Sequence, residues 1–196
     1  MLRNIKALGF DRYSVASLGD GVEEFTLRIR SKAGCGSGRL DTMKTIRIQG
    51  VLVNVHGVGI LIRGAPGIGK SMASLRLMHM GHKLVADDMV EVESGSDGKL
   101  TGRPVEPNVR VEVRGLGIFE ARSLVSDGTA PASPIDLVVE LDSFDPRRDA
   151  GRLSPDVRRS SILEQELPFI RMPVPDKVDP AFLVELLAQY FRSEGL

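Results

Sequence analysis

Gly64-Ala65-Pro66-Gly67-Ile68-Gly69-Lys70-Ser71 decides how this chain is read. The stretch fits G-x-x-x-x-G-K-[ST], a loop whose backbone N–H groups cradle phosphate. Glycines at 64, 67 and 69 let the chain turn with positive φ and bring its backbone close to an anion. Lys70 carries a point charge to the β/γ-phosphates of ATP, and the Ser71 hydroxyl is placed to ligate Mg²⁺. Residues 58–62, Val-Gly-Ile-Leu-Ile, make a short apolar strand ahead of the loop, and residues 70–80 read as a helix closed by Gly81. Phosphate would sit at a helix N-terminus, where the dipole favours negative charge.

Toward the N-terminus, Ile46, Ile48, Val51, Val53 and Val55 alternate up to His56-Gly57, and the strand at 58–62 follows at once. Strands this close form an antiparallel hairpin, because a parallel crossover needs a dozen or more residues. A phosphate loop fed by a hairpin predicts an α/β fold on a mixed sheet, not a purely parallel one. Residues 22–30 alternate with Phe25, Leu27 and Ile29 on one side, a half-buried strand, and residues 31–38 are a connector by composition. The expected division is an N-terminal strand or arm over residues 1–44 and a phosphate-loop domain over 45–196.

Beyond the loop, Met72, Leu75, Leu77 and Met78 read as core-filling residues of the helix. His79 and His82 suit its C-terminal dipole better than metal ligation, since no acidic or thiol partner sits at ligand spacing. Residues 83–86 form an apolar strand that ends in Asp87 and Asp88, where an α/β sheet presents ligands. Neighbouring side chains on a strand face opposite ways. One carboxylate is therefore suited to accept a hydroxyl proton and the other to hold Mg²⁺. Residues 94–98 are a turn between strands at 89–93 and 99–101. Arg110, Glu112 and Arg114 share one face of a strand that runs into Gly115 and Gly117, as where backbone nears a ligand. Residues 123–133 read as a loop, 135–141 as a strand, and 142–161 as a polar segment too irregular to build core. The last helix has Asp179 as N-cap and Pro180 at N1. Its polar face is Glu185, Gln189, Arg192 and Ser193, against Phe182, Leu183, Leu186, Leu187 and Phe191.

Composition narrows the function. Lys+Arg and Asp+Glu number 26 each in 196 residues, which argues against a general nucleic-acid binder. The single Cys35 rules out an intrachain disulfide and a thiolate-rich zinc site. No run reaches the eighteen apolar residues of a membrane span, and the first residues do not lead into a signal-peptide core, so a cytoplasmic location is expected.

Taken together, several stretches resemble the catalytic domain of the HPr kinase/phosphorylase family. They are Gly57 to Ile62 running into Gly67 to Ser71, the 81–88 segment Gly-His-Lys-Leu-Val-Ala-Asp-Asp, Glu112-Val113-Arg114-Gly115-Leu116-Gly117-Ile118, and Gly151-Arg152-Leu153. The resemblance implies a hairpin-fed fold related to phosphoenolpyruvate carboxykinase, Mg-ATP-dependent phosphorylation of a serine on the phosphocarrier HPr, and assembly into a homo-oligomer, usually a hexamer. It assigns Lys70 and Ser71 to the phosphates and Mg²⁺, Asp88 as general base, Glu112 as a second metal contact and Arg152 as the phosphate-stabilising arginine; Asp87 is a candidate metal residue from its place at the strand end. The chain departs from the family pattern at Gln49, where a His is usual, at Met72, usually acidic, and at residues 174–179, which lack the usual Gly-Arg-Asn. The last departure weighs against the phosphorolytic reverse reaction. A small-molecule kinase acting on free serine and a nucleotide sensor without turnover are the competing readings.

Overall fold

The computed structural model describes residues 10–19, 22–29, 41–95, 97–151 and 154–194, with side chains from residue 45 onward. Strands β1 (Phe10–Gly19), β2 (Val22–Ile29) and β3 (Asp41–Gln49) come first. The hairpin β4 (Val51–Val55) and β5 (Val58–Gly64) then feeds helix α1 (Lys70–His79). Next are β6 (Lys83–Ala86), β7 (Met89–Ser94), β8 (Leu100–Pro104) and a ribbon of β9 (Arg110–Val113) with β10 (Gly117–Glu120). Helix α2 (Ala121–Leu124), β11 (Ser133–Pro134), β12 (Leu137–Ser143) and α3 (Pro146–Asp149) lead to β13 (Val157–Ile162), β14 (Gln165–Val174) and α4 (Pro180–Glu194).

Two six-stranded sheets result. One is antiparallel, in the order β1-β2-β3-β7-β8-β11; the other is mixed, in the order β13-β14-β12-β5-β4-β6. In the mixed sheet β5, β12 and β14 run parallel, while β4 is antiparallel to both β5 and β6. The C-terminal ends of β5, β6, β12 and β14 therefore share one edge. That edge carries the phosphate loop and both aspartates, as expected of an α/β sheet.

The central strands of the mixed sheet, β4, β5 and most of β12, are buried on both faces, and the period of two sorts their residues between two cores. Val51, Val53, Ile60, Ile62, Leu137, Val139 and Leu141 pack with Leu77 and Met78 of α1 and Val184 and Leu187 of α4. Their alternates Leu52, Leu61 and Val138 pack against Ile46, Ile48, Val90 and Val92 of the antiparallel sheet. The result is three layers: sheet, sheet and helices.

The structure redraws several expectations. The alternating run from Ile46 to Val55 is two strands in two sheets, divided at Gly50. The parity of its alternating positions changes from even to odd there: Ile46 and Ile48 face the core between the sheets, and Val51, Val53 and Val55 face the core under the helices. A Cβ on Gly50 would lie 2.8 Å from the Ile62 carbonyl oxygen, which is why a glycine makes the crossing. The strand expected at 135–141 begins at Leu137, while Ile135 joins the core between the sheets. Residues 142–161 do more than loop. They contain α3 and most of β13, and Asp149 is buried with Arg171 Nη1 2.8 Å from its Oδ1. An ion pair, not apolar side chains, anchors that segment. Strand β14 was not anticipated, because Pro168 and Pro173 break its pattern although it is an interior strand. The connector at 31–38 lies outside the described residues.

Both helices turn differently from the sequence reading. The Ala181 N–H donates to Asp179 Oδ1 at 2.9 Å, the cap expected for α4. The buried stripe of α4 is Ala181, Val184, Leu187 and Ala188, while Phe182, Leu186 and Tyr190 are exposed and Glu185 faces inward. Small residues on the inner stripe let α4 lie close to its neighbours, so bulk is left outside. Met72 of α1 is 51% exposed and belongs to the surface beside the loop, not to the core. Among the described residues, no helix is long and apolar enough to cross a membrane.

Leu61, fully buried between the sheets, tests this layering. Leu61→Ala is expected to lower unfolding free energy by about 2–5 kcal/mol in a urea titration.

Candidate functional site

Strand β5 ends at Gly64, where φ is 137° and an added Cβ would lie 2.4 Å from the Leu141 carbonyl oxygen on β12. The chain can leave the parallel β5–β12 pair at this point only as glycine. Gly67 and Gly69 also have positive φ, 82° and 104°, and Gly69 caps α1 in the left-handed conformation. The Gly69 carbonyl accepts from the Ala73 N–H at 2.8 Å, so the helix begins directly out of the loop. Lys70 folds back over it: its Nζ donates to the carbonyls of Gly64 at 2.8 Å and Ala65 at 3.1 Å.

Across from the loop, β6 delivers Asp87 and Asp88. The Met89 N–H donates to the Asp87 carbonyl at 2.9 Å, and Asp88 between them has φ 70°. This is a three-residue γ-turn with a positive central φ, a strained form for a residue with a side chain. The Asp88 carbonyl accepts from the Gly50 N–H at 2.9 Å, which ties the turn to the point where β3 passes into β4. Gln49 pairs with Met89 in the β3–β7 ladder and so stands next to the turn. Asp88 is exposed; Asp87 points inward, and its Oδ1 is buried without a hydrogen-bond partner.

The electrostatics follow from this placement. Burial pushes the Asp87 carboxyl up to about 6; the hydrogen-bonding Ser71 hydroxyl opposes this, neighbouring Asp88 adds to it, Lys70 opposes it and Glu112 adds to it. Burial lowers the Lys70 pKa, against the pull of Asp87 and then Asp88. Ser71, Asp87, Asp88, Lys70 and Glu112 thus form one electrostatic group. Glu112 and Arg114, from the charged face of β9 and its end, line a cavity of about 240 Å³ with Gly67, Gly69, Lys70 and Ser71. A Cβ on Gly67 would meet the Arg114 guanidinium at 3.4 Å, so this cation covers the loop. On the other side of the loop, Ile68, Gly69, Met72, Phe144 and the 174–180 turn border a cleft of about 480 Å³.

The residues present suit a hard divalent cation. A hydroxyl and carboxylates are the oxygen donors Mg²⁺ prefers, and Asp87 Oδ1 is an acceptor with nothing to accept. All eight loop residues, Asp87, Asp88 and Glu112 come to the same edge; Arg152 lies outside the described residues. Arg114 was not singled out as a site residue by sequence. The charged face that contains it was visible, but which of its cations reaches the loop depends on how the β9–β10 ribbon packs.

A phosphate loop at the carboxyl edge of a mixed sheet, facing paired carboxylates, defines a class of nucleotide-binding α/β proteins. The family model for the HPr Serine kinase C-terminal domain matches residues 41–195, and the chain belongs to that family. It is 40% identical over 154 residues to the HPr kinase/phosphorylase of Geobacillus thermodenitrificans, covering 78% of this chain and 50% of that protein. It is 35% identical over 153 residues to that of Listeria monocytogenes serotype 4b, covering 77% and 49%. The chain spans about half the length of the curated relatives it matches. The solved structure of the Hpr(Ser) kinase/phosphatase from Coxiella burnetii superposes with a TM-score of 0.69 at 27% identity, covering 76% of this chain and 91% of that one.

The raised Asp87 pKa has a consequence for stability. Between the ordinary carboxylate value of 3.8 and about 6, the folded chain holds a proton that the unfolded chain has released. Stability therefore falls as pH rises through that window. Without nucleotide, Asp87→Asn is expected to be more stable than the wild type at pH 7, by up to about 3 kcal/mol. The gap should close below pH 4 in urea titrations run across the range.

Proposed function

We propose that this chain is the catalytic domain of a Mg-ATP-dependent kinase that phosphorylates a serine hydroxyl on HPr or a related protein. The observation that carries the reading is the convergence of Lys70, Ser71, Asp87, Asp88 and Glu112, from three separate segments, around one phosphate loop. The names of the relatives support the acceptor.

Loop N–H groups bind the nucleotide phosphates, and Lys70 leaves its two carbonyl partners to pair with them. Ser71, Asp87 and Glu112 would hold Mg²⁺, which when bound would draw charge from the phosphate oxygens. Asp88 stands exposed at the mouth, where an acceptor hydroxyl arrives. Its carboxylate takes the hydroxyl proton as oxygen bonds to the γ-phosphorus and the bond to the ADP oxygen breaks. Arg152, assigned by resemblance, and Arg114 neutralise charge on the transferred group. The altered 174–179 turn favours transfer in the kinase direction, while Gln49 in place of the family's His removes an assisting imidazole.

A second reading exchanges the aspartates. The Asp87 carboxyl, raised to about 6, sits nearer working pH and favours Asp87 as the proton acceptor. Asparagine tolerates the left-handed conformation at position 88, so Asp88→Asn removes charge while sparing the turn.

Labelled Mg-ATP offered separately with HPr and with free serine tests the proposal. The expected result is label on HPr, lost by Lys70→Ala and reduced about 10²–10⁴-fold by Asp88→Asn. Label on free serine alone would identify a small-molecule kinase, and nucleotide binding with no transfer would identify a sensor. Undiminished transfer by Asp88→Asn beside a dead Asp87→Asn would move the base to Asp87.

A further inference from the structure

Three side chains that the proposed reaction does not use meet away from the phosphate loop. His56 sits in the β4–β5 turn, at the opposite end of β5 from Gly64. His82 follows the C-terminus of α1, and Glu185 comes from α4. Helix α1 separates this place from the loop by its ten residues, roughly 15 Å.

The two imidazoles aim at one atom. His82 Nε2 is 3.1 Å from Glu185 Oε1, and His56 Nε2 is 3.4 Å from the same oxygen. The three ligand atoms lie within 4.8 Å of one another, and the rings meet edge to face with centroids 4.5 Å apart. A tetrahedral zinc ion with bonds of 2.0–2.1 Å holds its donors about 3.3 Å apart. Both spacings to the carboxylate already match that separation.

The surroundings favour a cation at the focus. His82 is 7% exposed and the Glu185 side chain 19%, so two of the three side chains are sheltered, while His56 is the most exposed of them. Among the described residues, the ion-pair partners of Glu185 are these two imidazoles. One protonated histidine would balance the carboxylate; a second ring turned toward the same oxygen is surplus to an ion pair. The His56 turn is held in place as well. His56 has φ 53°, and Asn54 Oδ1 accepts from the Gly57 N–H at 3.1 Å. The Gln189 side-chain amide lies 3.4 Å from His56 Nε2, at the open side.

We propose that His56, His82 and Glu185 form a transition-metal site of the zinc class, with two imidazoles, one carboxylate and a fourth position open beside Gln189. The donor set is one that zinc uses. The ion would fasten the hairpin that feeds the phosphate loop to the end of the following helix and to the C-terminal helix. It is separate from the Mg²⁺ position, whose donors are all oxygen.

The test uses the full chain, untagged and stripped with a chelator, titrated with Co²⁺ and Zn²⁺ at neutral pH. Expected are a visible ligand-field absorption with Co²⁺, displacement of that signal by Zn²⁺, one Zn²⁺ retained per chain after dialysis, and a higher melting temperature with Zn²⁺. His56→Ala, at an exposed position, and Glu185→Gln are each expected to weaken binding tenfold or more while the chain stays folded by circular dichroism. His79→Ala and Cys35→Ser should leave it unchanged. Failure of the folded wild type to bind either ion at micromolar concentration overturns the proposal. So does binding that survives the His56→Ala/Glu185→Gln pair or depends on His79 or Cys35. No outcome depends on kinase activity.

Discussion

Burial of β5 on both faces is the constraint on which the rest of this structure depends. Ile60 and Ile62 face the helices, Leu61 faces the second sheet, and all three are fully buried. A strand covered this way needs partners on both edges and layers above and below. It takes β4 and β12 as edge partners, the antiparallel sheet on one face and α1 with α4 on the other. The direction of β5 then decides which end of every neighbour gathers at the loop. Because β12 and β14 run with it, and β6 does so through β4, their C-termini supply the turns around the site. The site is an outcome of strand polarity before it is an outcome of any side chain.

Polarity alone would leave the aspartates at the edge without giving them different surroundings. The γ-turn at Asp88 does that by pointing one carboxylate inward and the other to solvent. Burial then separates two chemically identical groups: the inward one resists ionisation, while the outward one stays at the mouth. The same turn is hydrogen-bonded to Gly50, the residue by which the chain crosses between sheets. Layering and site geometry are therefore coupled at one backbone contact.

The parts legible in the sequence were those written in local chemistry. The loop, its helix, the hairpin and the Asp179 cap each depend on residues close together, and each signal was unambiguous. What stayed hidden required partners distant in sequence. Asp149 reads as a polar loop residue until Arg171 is seen against it, and His82 reads as a helix-end cation until Glu185 is found 103 positions away. Strand β14 was masked by its prolines, and the inner stripe of α4 by alanines that count as weakly apolar. In the site, Asp87 and Asp88 were visible as candidates because they end an apolar strand behind the phosphate loop, and Glu112 because it lies on a charged strand face that runs into glycines. Arg114 was not, since its reach over Gly67 is a property of ribbon packing.

The lysine of the phosphate loop has a further consequence. With its ammonium bound to the Gly64 and Ala65 carbonyls, the loop holds its own cation in place. An incoming anion therefore enters an exchange reaction, displacing two neutral acceptors from a charged donor. An anion that replaced the two carbonyls would offer the ammonium ionised acceptors, so that the new bonds carried charge on both sides. The affinity of the loop for a phosphate would thus depend on what the lysine gives up in the resting state as well as on what it gains.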